Sequence, residues 1–361
     1  MNIYIRTDAS IEVGTGHVQR CLVLAEELRK KKVNITFICR EWHGNLIEFI
    51  QKKGFPVISL PPSNSRNSEQ NENITTWMQH NWEKDAYQTM SQMMKQENII
   101  HWLIIDHYGI DSKWERTIKP VVKKIMVIDD LANRPHECDV LLDQNLCRDI
   151  DNRYKNLVPT HSLLLLGLKY LLIRQEYRNV PCINKRSNHV KRILISFGGS
   201  DPTNETMKAI RAIKLISKED IIVDVVIGYS NPHYSTIKKY CMNIPTINIH
   251  FQIDYLAKLM AKADLAIGSG GSTTWERCYM RLPTITIETA ANQSEILSYL
   301  SEIGVICHIG HRTTVEKEDI AENVIKLMND PNKMNNMALA LKSIMFDVND
   351  NPVIDQLLGG E

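Results

Sequence analysis

The sequence predicts an α/β protein built from two doubly wound parallel sheets. Short runs of β-branched and apolar residues alternate with longer segments of helical period along the 361 residues, as in repeated βαβ units. Several runs, such as Leu103–Ile105 and Ile193–Ile195, are apolar throughout, which is typical of strands covered by helices on both faces. At roughly 150 residues per domain, the length suits about two domains.

The predicted elements follow one another without an internal repeat. In the first half, strands are predicted at 3–5, 35–38, 56–58, 103–105 and 125–128, with helices at 18–31, 46–52 and around 75–95. In the second half, strands are predicted at 192–196, 222–227, 247–249, 265–267, 284–286 and 305–306. A polar segment without either period, residues 178–188, suits a linker, so we expect domains at 1–185 and 186–361. Residues 61–73, rich in Ser and Asn, suit a surface loop.

Charge and cysteine content exclude several classes of protein. Lys and Arg number 43 against 42 Asp and Glu, so no overall field favours nucleic acid or an anionic membrane. The eight cysteines have no CxxC or zinc spacing, which indicates reduced thiols in a cytoplasmic protein. The charged residues Arg6 and Asp8 lie only a few positions after Met1, which argues against a secretion signal. The sequence has no apolar run of roughly 18 residues, the length that a membrane span needs.

The loop after the first strand holds the first candidate site. Gly14 and Gly16 allow close approach of backbone to a ligand, and His17 at the helix start has the chemistry of a general base near neutral pH. Ligands of open α/β sheets bind beyond the carboxyl ends of strands, where this loop must lie. A glycine turn followed by a surface histidine explains the same residues equally well.

The strand at 103–105 runs into a second polar group at the same kind of edge. Asp106 and Tyr108 are at a position from which they can contact a sugar. An equal alternative is that Asp111 caps the following helix and the aromatic residues only pack at the sheet edge. Asp129 and Asp130 end the next strand; two adjacent carboxylates can bind a metal, but no further ligand spacing supports one.

The second half carries glycine-rich turns between strands and helices. Gly199 lies in a turn able to offer backbone N–H groups to an anion, or in a plain turn capped by Asp201. A stronger pattern is the run from Gly268 to Glu276, in which glycines and hydroxyls meet a helix start, as suits a diphosphate. Glu276 falls one helical turn after Ser272 and can accept ribose hydroxyls, with surface solvation as the alternative. The motifs GxxxxGK[ST] and GxGxxG are both absent.

Taken together, these segments resemble nucleotide-sugar enzymes of GT-B fold, and closely the UDP-sugar hydrolases of pseudaminic acid biosynthesis. The ordered set is specific although each member is weak, and it spans most of the chain. The segments that carry the resemblance are Arg6-Thr7-Asp8, Gly14-Thr15-Gly16-His17, Ile105 to Gly109, Leu172 to Glu176, Phe197 to Asp201, Gly271 to Glu276 and Asn292-Gln293.

The resemblance implies two Rossmann-like domains with a cleft between them, the N-terminal one carrying the catalytic base and sugar site and the C-terminal one binding UDP. It implies that His17 is the catalytic base and that the UDP-linked sugar is a 2,4-diacetamido-2,4,6-trideoxy hexose of altrose type. We further expect His17 to activate water for attack at the anomeric carbon with inversion, without a metal or cofactor. The residues expected to contact substrate are Gly14, Gly16, Asp106, Tyr108, Arg174, Gly199, Gly271, Ser272, Thr273, Glu276 and Asn292.

Other functions share this fold. A glycosyltransferase uses the same nucleotide site, a hydrolysing 2-epimerase alters the second sugar carbon, and a binding protein releases no UDP. The sequence has no amphipathic basic segment to dock a lipid acceptor, which favours hydrolysis over transfer.

Overall fold

The computed structural model describes residues 1–62, 74–96, 98–181, 189–216, 220–345 and 352–359. Parts of two predicted segments therefore lie outside the described residues: residues 63–73 of the polar loop and residues 182–188 of the linker. No helix within these ranges is long and apolar enough to cross a membrane.

The chain forms two compact units, and their boundaries differ from the predicted 1–185 and 186–361. The first unit holds Met1–Leu172 together with the C-terminal helix, and the second begins at Ile173. The C-terminal helix belongs to the first unit because Val353 and Leu357 are buried in its core and Trp102 Nε1 donates to the Leu357 carbonyl at 3.0 Å.

The first unit is built on a seven-stranded parallel sheet with the strand order β3-β2-β1-β4-β5-β6-β7. Its strands are β1 Asn2–Thr7, β2 Asn34–Arg40, β3 Val57–Leu60, β4 Trp102–Asp106, β5 Lys124–Ile128, β6 Val140–Asp143 and β7 Leu163–Leu166. The helices that cover it are α1 Gly16–Lys30, α2 Ile47–Lys52, α3 Ile74–Met94, α4 Ser112–Ile118 and, from the C-terminus, α13 Pro352–Leu358. Every residue of β4 is buried, as its apolar run predicts.

The second unit repeats the plan with a six-stranded parallel sheet in the order β10-β9-β8-β11-β12-β13. Its strands are β8 Arg192–Ser196, β9 Ile222–Ile227, β10 Ile247–Phe251, β11 Leu265–Ser269, β12 Thr284–Glu288 and β13 Cys307–His311. Its helices are α5 Gln175–Arg178, α6 Glu205–Ile216, α7 Tyr234–Cys241, α8 Leu256–Lys262, α9 Thr273–Tyr279, α10 Ser294–Glu302, α11 Lys317–Met328 and α12 Pro331–Ile344.

The order of the strands indicates where a ligand site is expected in each sheet. In each sheet the order reverses between two neighbouring strands, β1 and β4 in the first and β8 and β11 in the second. Thr7 pairs with Asp106, and Ser196 pairs with Gly268, so the two strands of each pair end side by side. Ligand sites of doubly wound sheets lie beyond the strand ends at such a reversal. Each unit therefore has one edge at which a site is expected.

Candidate functional site

A tight loop carries the chain from β1 into α1 and sets the start of that helix. The Gly14 amide donates to the Ser10 carbonyl at 2.9 Å, and the Val13 amide donates to Ser10 Oγ at 3.1 Å. Gly14 has φ of 81°, a left-handed conformation that side chains disfavour, which explains the glycine. The loop ends at Gly16, and His17 follows as the second residue of α1.

His17 is anchored by a carboxylate from the neighbouring strand. Its Nδ1 lies 2.5 Å from Oδ1 of Asp106, the last residue of β4. Burial opposes ionisation of Asp106, yet Arg20 and His17 hold the pKa of this carboxyl well below its usual range. An ionised Asp106 only accepts, so Nδ1 of His17 carries the proton. The free lone pair of the neutral ring is then on Nε2, which has no hydrogen-bond partner among the described residues.

Arg20 locks Asp106 from the other side. One helical turn after His17, its guanidinium donates from Nε to Oδ2 at 2.5 Å and from Nη2 to Oδ1 at 2.7 Å. Its Nη1 donates to Oδ2 of Asp130 at 2.9 Å. The sequence predicts that Asp106 contacts substrate; in the structure it is fully buried behind His17, with its oxygens used by His17 and Arg20. Asp106 therefore supports the histidine instead.

Tyr108 packs against the same histidine. The two rings meet edge to face with centroids 4.3 Å apart and planes at 84°. Burial raises the pKa of Tyr108 well above its usual value, and Asp130, hydrogen-bonded to it, adds to the effect. The hydroxyl is thus a protonated donor, and Arg20, Asp130 and Tyr108 form one continuous set of contacts around His17.

A second histidine lies nearby but has no nitrogen to spare. His107 Nδ1 accepts from the Gly109 amide at 2.9 Å, and Nε2 lies 3.4 Å from Asp8 Oδ2. Burial lowers the pKa of His107, which favours the neutral ring. A pocket of about 10 Å³, with room for about one water molecule, is lined by Asp8, Val13, His17, Ile74, Thr75, His107 and Tyr108. Of the two histidines that line it, His17 alone has a nitrogen available for proton transfer.

Asp8, which lines this pocket, belongs to a buried charge network that the sequence does not indicate. Asp8 accepts from Trp42 Nε1 at 3.0 Å and pairs with Arg6 at 2.7 Å. Asp85, from the middle of α3, pairs with both Arg6 and Arg40 at 3.0 and 2.7 Å. All of these charged groups are nearly or fully inaccessible, so the network holds Asp8 in a fixed position at the pocket.

The acidic pair that follows β5 is also occupied. Asp129 pairs with Arg134 at 2.8 Å, while Asp130 pairs with Arg20. Within the described ranges, no three His, Cys, Asp or Glu side chains are grouped so as to hold a metal ion.

The edge of the second sheet holds two adjoining loops. β11 ends at Ser269, and the turn through Gly270, Gly271 and Ser272 leads into α9. Gln293 Oε1 accepts from the Gly270 amide at 3.1 Å and from the Thr289 amide at 3.0 Å, which ties this turn to the loop after β12. Gln293 is buried, whereas Asn292 beside it and Ser272 are exposed at the same edge.

The two glycines of that turn differ in their surroundings. A Cβ on Gly270 would lie 2.7 Å from Cδ1 of Leu297, so this position has no space for a side chain. A Cβ on Gly271 would meet nothing closer than Ser269 Oγ at 4.0 Å. Gly270 is thus required by packing of the protein itself, and Gly271 is not.

The loop after β8 adjoins this turn because β8 and β11 are neighbours. Gly199 packs so closely on Gly228 that a Cβ on Gly228 would lie 2.4 Å from the Gly199 carbonyl oxygen. Asp201 accepts from the amides of Glu205 and Thr206 at 2.9 and 3.0 Å. Asp201 therefore caps the turn that follows Gly199.

Glu276 is held inside the second unit. Its Oε1 accepts from Arg174 Nε at 2.8 Å, and its Oε2 accepts from the Tyr177 hydroxyl at 2.9 Å. The side chain keeps 15% of its surface exposed. Arg174, predicted as a substrate contact, thus contacts Glu276, and Tyr177 is a member of the site that the sequence did not suggest.

The predicted residues are therefore gathered at two sheet edges. The first unit brings together Gly14, Gly16, His17, Asp106 and Tyr108. The second brings together Gly199, Gly271, Ser272, Thr273, Glu276 and Asn292 at the β8–β11–β12 edge, with Arg174 bonded to Glu276.

The chain is similar in sequence to several known proteins. No protein-family model matches the chain. The chain is 31% identical to an uncharacterized protein of Methanocaldococcus jannaschii over 313 residues, which is 84% of this chain but 59% of that protein. It is 27% identical, over 84% of this chain and 97% of the other, to the UDP-2,4-diacetamido-2,4,6-trideoxy-beta-L-altropyranose hydrolase of Campylobacter jejuni. It is 21% identical to the spore coat polysaccharide biosynthesis protein SpsG of Bacillus subtilis over 91% of this chain and 89% of that protein.

Solved structures agree on the fold. Acinetobacter baumannii MurG superposes with a TM-score of 0.64 over 99% of both chains at 13% identity. Arabidopsis thaliana UGT89C1, complexed with UDP, superposes with a TM-score of 0.70 over 99% of this chain and 98% of that one at 10% identity. The predicted α/β fold of GT-B type, with a doubly wound parallel sheet in each of two units, is thereby confirmed.

Proposed function

We propose that this protein hydrolyses a UDP-linked sugar and that Nε2 of His17 is the general base that activates water. The observation that carries the proposal is the contact between His17 Nδ1 and Asp106, because it leaves Nε2 as the basic nitrogen of a histidine that lines a water-sized pocket. Asp106 and Arg20 supply the support that holds the ring in place.

In the reaction, the water oxygen attacks the anomeric carbon while its proton passes to Nε2. The bond between that carbon and the diphosphate oxygen breaks, and its electron pair leaves with UDP. Attack opposite the leaving group inverts the anomeric configuration. General-base assistance of this kind contributes about 10²–10⁴-fold to the rate. We assign the sugar contact to Tyr108, and the support is its edge-to-face contact with His17.

UDP is assigned to the β11 edge of the second unit. In this proposal the backbone amides and hydroxyls of Gly271, Ser272 and Thr273 bind the diphosphate, together with Gly199 from the neighbouring loop. The carboxylate of Glu276 accepts hydrogen bonds from the rest of the nucleotide, and the side-chain amide of Asn292 donates to it. Binding of negative charge at these groups stabilises the departing diphosphate. UDP is a good leaving group, so the proposal requires no second strong acid.

For the sugar, we propose a UDP-linked 2,4-diacetamido-2,4,6-trideoxy hexose of altrose type. The support is the relationship to the Campylobacter jejuni hydrolase, which the chain matches over 97% of that protein's length. This assignment places the enzyme in the formation of pseudaminic-type nonulosonic acids, in agreement with its similarity to a spore coat polysaccharide biosynthesis protein. No metal or other cofactor is part of the proposed reaction.

A sugar transferase is the second candidate, because the superposed MurG and UGT89C1 structures share the fold. The two functions differ in what takes up the sugar. Hydrolysis releases UDP without any acceptor, whereas transfer requires an acceptor hydroxyl.

The test is UDP release from the diacetamido trideoxy-altrose substrate, without acceptor or metal, by the native protein and by His17→Gln. We expect prompt release by the native protein and a loss of at least about 100-fold in the variant. His161→Gln, at an exposed histidine, is the matched control and should retain full activity. Unimpaired turnover in His17→Gln would exclude His17 as the base.

A further inference from the structure

The carboxylate of Glu276 is gripped by two side chains from one short segment at the start of the second unit. Arg174 Nε donates to Oε1 at 2.8 Å, and the Tyr177 hydroxyl donates to Oε2 at 2.9 Å. Arg174 Nη2 donates to the Tyr177 oxygen at 2.9 Å, which closes a ring of three hydrogen bonds. Because Arg174 is the N-cap of the single-turn helix α5 and Tyr177 lies within it, the backbone of that turn sets the spacing of the two donors.

The charge states of the ring are well defined. Burial raises the pKa of Tyr177, and the neighbouring Glu276 raises it further, so the hydroxyl keeps its proton and donates. Burial alone would lower the pKa of Arg174, but attraction to Glu276 raises it above the usual value. Arg174 also pairs through Nη1 with Glu176 at 2.7 Å. The guanidinium is thus fixed at three points and does not rotate with Glu276.

The hydrogen bonds from Arg174 and Tyr177 leave two acceptor positions on the carboxylate of Glu276. A carboxylate has about four lone-pair positions, two on each oxygen. Within the described residues each oxygen accepts one hydrogen bond, so one position remains on each, and the side chain is 15% exposed. Two adjacent acceptors in a fixed plane match two adjacent hydroxyl donors, the arrangement of a vicinal diol.

We propose that Arg174 and Tyr177 are positioning residues that orient Glu276 for the 2′- and 3′-hydroxyls of a ribose, and that this clamp makes the site select ribonucleotides over 2′-deoxyribonucleotides. The inference rests on the proposed UDP site and adds its sugar selectivity. A deoxyribose presents only the 3′-hydroxyl, so one of the two remaining acceptor positions of the held carboxylate stays unfilled. A freely rotating carboxylate, by contrast, reorients toward solvent and loses little.

The test is equilibrium binding of UDP and of 2′-deoxy-UDP, measured by titration calorimetry on the full chain. Loss of a hydrogen bond to a charged group corresponds to about 10- to 100-fold in affinity, so the native protein should prefer UDP by that factor. Tyr177→Phe releases Oε2 while retaining the ring, and we expect the preference to fall below about threefold. Arg174→Lys keeps the charge but breaks the link to Tyr177, and we expect an intermediate preference.

Tyr240→Phe is the matched control, because Tyr240 lies on α7 of the same unit and makes no contact with Glu276 among those described. It should keep the native preference. If Arg174 and Tyr177 had only a structural role, their substitution would lower the affinities for UDP and 2′-deoxy-UDP by the same factor. An unchanged ratio of the two affinities in Tyr177→Phe therefore overturns the inference. If Tyr177→Phe does not fold, the same ratio in Arg174→Lys decides. Failure of the native protein to bind UDP at all overturns the proposed function instead.

Discussion

Nδ1 of His17 lies 2.5 Å from Oδ1 of Asp106, and this contact decides which ring nitrogen is available for chemistry. The two residues are 89 positions apart and meet because β1 and β4 are neighbours at the reversal of strand order. The sheet topology thus brings together the second residue of α1 and the last residue of β4 at the edge where a ligand site is expected. The second unit has the equivalent edge where β8 and β11 end side by side.

The first prediction concerns Asp106→Asn. An amide can donate to Nδ1, which favours the tautomer with its proton on Nε2 and so removes the basic lone pair. We expect kcat to fall by about 10²–10⁴-fold while the Kd for UDP is unchanged. The measurement is steady-state UDP release alongside calorimetric UDP binding.

Asp111→Asn is the control for this change. Asp111 caps α4 from the same loop, and Asn caps helices equally well, so activity should be retained. A kcat for Asp106→Asn within about threefold of the native value would contradict the role assigned to Asp106.

The second prediction separates two adjacent glycines. Gly271→Ala places a methyl group in open space, so the melting temperature should stay the same, but a diphosphate bound against this backbone would be displaced and UDP affinity should fall at least about tenfold. Gly270→Ala drives a methyl group into Leu297 and should lower both the melting temperature and UDP affinity. Native UDP affinity in Gly271→Ala would remove Gly271 from the binding site.

The third prediction is a pH effect on the stability of the first unit. Burial raises the pKa of Asp143 from its ordinary value of 3.8 to about 6, and the negative charge of Asp130 contributes to the rise. The folded form thus binds a proton more tightly than the unfolded form, so this contribution to stability is complete below about pH 4 and is lost as the pH rises through 6. The loss amounts to about 3 kcal/mol.

Urea denaturation between pH 4 and pH 7 measures that loss. Asp143→Asn cannot ionise, so its free energy of unfolding should fall less than that of the native protein over this range. Asp149→Asn, at an exposed position nearby, should follow the native pH dependence. Parallel curves for the native protein and Asp143→Asn would show that Asp143 does not titrate in this window.

The fourth prediction concerns the buried charge network around Asp85. Asp85 pairs with Arg6 and Arg40 and accepts from Trp114 Nε1 at 3.0 Å, with every one of these side chains buried. Asp85→Asn leaves the two cations with less compensation, so we expect a loss of about 3–5 kcal/mol in the free energy of unfolding by urea. The exposed Glu83→Gln on the same helix should change it by less than about 0.5 kcal/mol. Equal stability of the two variants would contradict the importance of the network.

The sequence predicts most of the strands because their burial leaves a strong apolar signal, as at Leu103–Ile105. It misplaces the last strand, expected at 305–306, since β13 at Cys307–His311 is a half-buried edge strand of mixed polarity. It predicts neither β6 nor the return of α13 to the first unit, which depends on packing of distant residues.

The site was predictable to a similar depth. Glycines, His17 and Glu276 stand out because turns and helix starts have recognisable local patterns. Arg20 and Asp85 do not, since each occupies an ordinary polar position on a helix and acquires its role from a partner at least 79 positions away. The sequence predicts both Asp106 and His17 as site residues but not the contact between them, because that contact depends on the pairing of β1 with β4.

The most direct test of the central claim is hydrolysis in water enriched in ¹⁸O, with the UDP-linked diacetamido trideoxy-altrose as substrate and no acceptor present. Attack of water at the anomeric carbon predicts one ¹⁸O in the released sugar, none in UDP, and an inverted anomeric configuration by NMR at early times. Label in UDP, or no release of UDP without an acceptor, would contradict the account.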